Sequence, residues 1–169
     1  MMVRSPSGDG LRVTHHMNVL FVCEDNSALS IMAEAIVHGV APRQFAAYSA
    51  GCLPHGALNA DALEVLEMHR MPTAFLRSKS LQTFRSSPHA RVDFVITLSE
   101  LAAEQDFSAW PGEPFVAHWH VEDDGTGEAL PNSFWTLLRR IKTLTSPPQG
   151  KLDRRRLQRC ALSLEPSYL

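Results

Sequence analysis

Short apolar runs and longer stretches with helical spacing alternate along this chain from residue 17 onward. Val19, Leu20, Phe21 and Val22 form an uninterrupted apolar run of strand length, followed over residues 30–40 by a pattern that suits a helix. Residues 45–50 read as a second strand and residues 59–69 as a second helix, whose buried side is assigned to Ala62, Leu63, Val65, Leu66 and Met68. Residues 92–98 and 115–121 read as two further strands, with a short helix at 100–104 and a turn at Pro111 and Gly112 between them. Over residues 133–144, Phe134, Leu137, Leu138 and Ile141 fall on one helical face and should pack on the sheet. Strands alternating with helices imply parallel βαβ units, so the expected fold is α/β, a doubly wound four-stranded parallel sheet with helices on both faces.

The termini differ from this middle. Residues 1–16 are polar and rich in Ser, Pro and Gly, which predicts a flexible N-terminal extension ahead of a domain at 17–146. Residues 147–169 form a C-terminal extension whose segment 151–159 carries five positive charges and two leucines. It reads as a solvated helix docking through Leu152 and Leu157. With 169 residues and 44% hydrophobic positions, the composition suits one domain. A net charge of −2 gives no footprint for nucleic acid or for an anionic membrane, and no apolar run approaches bilayer-spanning length. Three cysteines, Cys23, Cys52 and Cys160, argue against a disulfide framework and fit a cytoplasmic location.

Candidate chemistry lies after the first strand, where ligands of doubly wound sheets usually bind. Residues 23–30 read Cys, Glu, Asp, Asn, Ser, Ala, Leu, Ser and lead into Ile31, Met32, Ala33, Glu34 and Ala35. A loop of this length can converge its backbone N–H groups into an anion nest, reinforced by the following helix N-terminus. A cysteine at its mouth is expected to lose its proton easily and to act as a nucleophile.

Cys23, Asn26, Ser27, Ser30 and Met32 to Ala35 resemble the signature of the low-molecular-weight tyrosine phosphatase and arsenate reductase superfamily, in which a cysteine and five residues precede arginine and serine. Ser49, Ala50, Gly51, Pro54, Gly56, Asn59, residues 76–80, 93–98 and 110–112, and Ala117, His118 and Trp119 are similar to the arsenate-reductase-like branch, thioredoxin-coupled type. The resemblance implies the low-molecular-weight phosphatase fold, flavodoxin-like in outline. It implies Cys23 as nucleophile, Asp123 as general acid, and Glu24, Asp25, Asn26, Ser27, Ala28, Leu29 and Ser30 as the anion-binding loop, with Asn26 holding its shape. The chemistry would be that of a cysteine-dependent phosphomonoesterase or an arsenate reductase.

Three departures weaken that activity. Leu29 stands where the resemblance calls for arginine, which removes a bidentate donor typically worth on the order of 10² to 10³ in rate. Glu24 and Asp25 replace small neutral residues; a carboxylate about 6 Å from a bound oxyanion costs roughly 2 to 3 kcal/mol per unit charge at an effective dielectric of about 20. Ser99 and Phe107 occupy the places of the branch's resolving cysteines. The alternative reading is a catalytically inactive relative serving as a binding or regulatory module. No cofactor is implied. The partner is an oxyanion or phosphorylated substrate for an active enzyme, or a protein for an inactive one, with no nucleic acid and no membrane in either case. His118 and His120 alternate along the last strand and would share a face, which suits metal ligation, but packing and hydrogen bonding are the simpler reading; Glu122, Asp123 and Asp124 facing Glu24 and Asp25 would make a divalent-cation site only as a minor alternative, so no metal is expected. Lys79 reads as a surface lysine that could lend positive charge near the site mouth.

Overall fold

The computed structural model describes residues 16–87, 91–124, 126–146 and 154–166. Strands β1 (Met17–Cys23), β2 (Phe45–Gly51), β3 (Phe94–Thr97) and β4 (Phe115–His118) form a parallel sheet in the order β2-β1-β3-β4. The order reverses at β1, so the loop leaving β1 opens into the crevice where such sheets bind ligands.

Each side of the sheet carries its own core. Val19, Phe21 and Cys23 of β1 face one layer, packed by helices α1 (Leu29–Val40), α2 (Ala60–Met68) and α5 (Leu130–Thr145). Leu20 and Val22 face the other, with Leu81 and Phe84 of α3 (Leu81–Arg85) and Ala102 of α4 (Glu100–Ala103). This period-two division is what a strand buried on both faces requires. Phe134, Leu137, Leu138 and Ile141 are all buried against the first layer, as their spacing predicts. Helix α6 (Arg154–Ser163) lies along β4: Leu157 and Ala161 are buried, and Trp119 Nε1 donates to the Ala161 carbonyl at 3.0 Å.

Several local expectations change. Met68 is 72% exposed because it lies about 240° round the helix from Ala62, away from the face that Ala62, Val65 and Leu66 bury. The sequence pattern missed α3, whose start is marked by Ser80 accepting from Gln82 N–H. Strand β4 ends at His118 instead of residue 121, and the chain then turns toward the acidic segment. Of the proposed N-terminal extension only residue 16 is described, and Leu152 also lies outside the described residues.

Candidate active site

The β1–α1 loop is folded tightly enough to need specific neighbours. Asn26 adopts a left-handed backbone conformation, φ 52°, which asparagine tolerates better than most residues. Gly51, at the end of β2, lies directly beneath it: a Cβ there would come within 2.8 Å of the Asp25 carbonyl carbon and 2.9 Å of Asn26 N. Cys52 N–H and Leu53 N–H donate to the Cys23 and Glu24 carbonyls, tying the loop to the chain beyond β2. Helix α1 begins at Leu29 with no side-chain cap, so the positive end of its dipole faces the loop.

Cys23 sits at the carboxyl end of β1 and is 4% exposed. Its sulfur lies 2.8 Å from Ser30 Oγ and receives the Asn26 N–H at 3.3 Å. Burial pushes the thiol up from its ordinary value; the Ser30 and Asn26 hydrogen bonds oppose this, and Asp25 adds to it. Burial thus works against the easy loss of the proton expected from the nest.

A cavity of about 740 Å³ opens above Cys23. Leu29 forms part of its wall, where the resemblance would have placed a guanidinium. Glu24 and Asp25 line it from the loop, Glu100 from α4 and Glu104 from the residue that follows it, and Glu122, Asp123 and Asp124 from the segment after β4. Among the described residues, seven carboxylates thus share the cavity with one histidine, His120, and no lysine or arginine lines it. Asp123 lines the same cavity as Cys23. Asn26, Ser27, Ala28 and Ser30 are not among its lining residues; they build the loop from behind.

Several of these acids have local partners. Asp25 accepts from Ser27 N–H at 3.1 Å and Ser27 Oγ at 2.9 Å, and its other contact is His55 Nε2 at 3.3 Å. Asp124 accepts from Thr126 N–H and Oγ1, which holds its carboxyl below the usual range. Ser99 caps α4 by accepting from Ala102 N–H, and Phe107 is buried against Trp110 with ring centroids 5.1 Å apart. Cys52 packs against the opposite layer from Cys23, and burial raises its thiol to about 11. His118 and His120 do not act together: His118 Nδ1 meets Thr97 Oγ1 at 2.7 Å, whereas His120 lines the cavity. Among the described residues no cluster of histidine, cysteine or carboxylate side chains is placed to hold a metal ion.

Sequence reasoning missed one group. Glu34 is buried on α1, accepts a short hydrogen bond from Ser49 Oγ, and pairs with Lys79 Nζ at 3.1 Å. Lys79 is therefore not at the cavity mouth but beneath the loop. The available signal was that residues 29–37 are apolar on every side of the helix, which leaves a glutamate in their midst no route to water.

The family model described as low molecular weight phosphotyrosine protein phosphatase matches residues 18–113. Among solved structures, a thioredoxin-dependent arsenate reductase from Corynebacterium glutamicum is 24% identical, with TM-score 0.62 over 76% of this chain and 60% of that one. This chain thus spans less than two thirds of that relative's length. An arsenate reductase from Archaeoglobus fulgidus is also 24% identical, with TM-score 0.61 over 75% of this chain and 98% of that one. A low molecular weight protein tyrosine phosphatase from T. tengcongensis gives 24% identity and TM-score 0.59 over 75% of this chain and 95% of that one. No curated protein matches the chain in sequence.

Proposed function

Because this chain belongs to the low molecular weight phosphotyrosine protein phosphatase family, we propose that it keeps the family's phosphate loop as a scaffold, has lost most of its oxyanion chemistry, and serves as a binding or regulatory module. The observation that carries this reading is the cavity lining: among the described residues, seven carboxylates, Leu29 in the wall and no lysine or arginine. A phosphate or arsenate entering it meets negative potential where phosphoryl-transfer sites supply positive charge. The buried thiol compounds this, since burial favours its protonated form and the thiolate is the nucleophile. Neutral or cationic groups are electrostatically better suited to this cavity than oxyanions.

A second reading, a weak cysteine-dependent phosphatase or arsenate reductase, is favoured by one observation. Cys23 retains hydrogen bonds from Asn26 and with Ser30, and Asp123 lines the same cavity. In that case Cys23 attacks the oxyanion and Asp123 protonates the leaving oxygen. Thermal unfolding with added anion tests the main reading. Phosphate, sulfate or arsenate at about 1 mM should scarcely raise the melting temperature, since a ligand far below its Kd adds almost nothing to stability. A rise of several degrees would contradict it.

A further inference from the structure

Helices α2 and α5 lie side by side and run the same way. Asp61, in the first turn of α2, lies against Gly127 just ahead of α5: a Cβ on that glycine would come within 2.5 Å of Asp61 Oδ2. At the other end of α2, the His69 ring stacks on Phe134 with centroids 4.3 Å apart and meets Trp135 edge-on at 4.9 Å. Residues 136–145 of α5 then continue past α2 for about 15 Å. Each helix carries one exposed row. On α2 it is Asp61, Glu64 and Met68, spaced i, i+3, i+7; on α5 it is Trp135, Arg139 and Lys142, spaced i, i+4, i+7. The Asp61–Gly127 contact puts the first row on the flank of α2 nearest α5, and His69, next to Met68, joins it to Trp135. The two rows thus make one strip with ordered chemistry: Asp61 and Glu64, then Met68 and Trp135, 72% and 54% exposed, then Arg139 and Lys142. Among the described residues no ion pair within the chain engages these four charges, and none of the six residues lines the cavity.

We propose that this strip is a self-association surface whose occupant is a second copy of this chain, docked antiparallel about a two-fold axis through Met68 and Trp135. The order of the charges is the argument. A two-fold rotation about the apolar centre reverses the strip, so Asp61 and Glu64 of one copy meet Arg139 and Lys142 of the other, and the contact occurs twice. An acid–apolar–basic order is therefore self-complementary, whereas a strip of one sign would repel its own copy. At the axis, Trp135 and Met68 of both copies pack together. Central tryptophans ringed by polar contacts are where binding energy concentrates, and methionine sulfur packs well on aromatic rings. The flanking charges fix register and orientation more than affinity. A strip about 20 Å long on two helices makes an interface at the small end of the specific range, so the dimer should form and dissociate with protein concentration.

Sedimentation velocity of the full chain under reducing conditions, from about 1 µM to about 1 mM, should show a monomer–dimer equilibrium that stops at the dimer. Trp135→Ala should weaken it about tenfold or more. Glu64→Lys and Lys142→Glu, each alone, should do the same, because either reversal sets like charges opposite each other at both ends of the interface. All three side chains are exposed, so the fold should survive, which circular dichroism checks. The double variant Glu64→Lys/Lys142→Glu should dimerise again. So should an equal mixture of the two single variants, since across the two-fold axis each reversed charge then meets the opposite sign; a misfolded variant could not give that rescue. Raising the salt should weaken the wild-type dimer by screening the flanking pairs. A chain that stays monomeric at every concentration would overturn the proposal and leave the strip to another occupant. Dimerisation unchanged in Trp135→Ala, or charge reversals that mixing does not rescue, would overturn it as well.

Discussion

At position 29 one side chain decides whether the loop can hold a multiply charged oxyanion. A guanidinium would offer two parallel donors to equatorial oxygens; Leu29 offers none and lines the cavity with hydrocarbon. Asp25 compounds the loss, yet its carboxylate is engaged by Ser27 and His55, so it also helps shape the loop it makes negative. Combining Leu29→Arg, Glu24→Thr and Asp25→Gly should create Cys23-dependent turnover of an aryl phosphate. Leu29→Arg alone should give much less, because a new guanidinium can pair with Glu24 or Asp25. The three changes act on one site and should therefore be more than additive. Steady-state rates of the single and triple variants check this, and a folded triple variant that neither turns over nor binds phosphate would mean that the loop is not built as a nest. Cys23, Leu29 and the acids at 122–124 were legible in the sequence because each sits in register with a motif. The state of the Cys23 thiol was not, since it depends on burial that the nest argument does not include.

At the scale of elements, the four strands and the helices α1, α2 and α5 were readable from periodicity, because each is long enough to show its repeat. Helix α3 was missed, and β4 stops early because the chain leaves the sheet after His118. The packing of the loop on β2 has a sharper requirement, carried by Gly51. Its missing Cβ makes room for backbone atoms of Asp25 and Asn26, which cannot yield as a flexible side chain would. Gly51→Ala should cost about 1 to 3 kcal/mol, the usual range for overpacking a tight contact. Denaturant unfolding measures it: the midpoint should fall with the slope unchanged. A midpoint equal to wild type would show that the loop has slack at this point.

For the whole molecule, the buried thiols couple folding to pH. Cys23 is raised in the folded state by burial, so the folded protein holds that proton more tightly than the unfolded chain does. Its contribution to stability is fully present below the ordinary thiol value of 9.0 and is lost as pH rises from there through the folded value. Stability measured under reducing conditions should therefore fall more steeply above about pH 9 in wild type than in Cys23→Ser, with a difference in slope of at most about 1.4 kcal/mol per pH unit. Parallel curves would mean that the thiol is not desolvated as the structure describes. Cys52, raised to about 11, contributes in the same direction and is common to both proteins. The same burial that stabilises the neutral thiol opposes nucleophilic chemistry at neutral pH, and the acidic cavity opposes the arrival of an oxyanion. Turnover of an aryl phosphate by the wild-type protein at about pH 6, beside Cys23→Ser, tests that loss most directly, since general acid and nucleophile would both have to function. The two proteins should show the same background rate; turnover by wild type that disappears in Cys23→Ser would contradict the account.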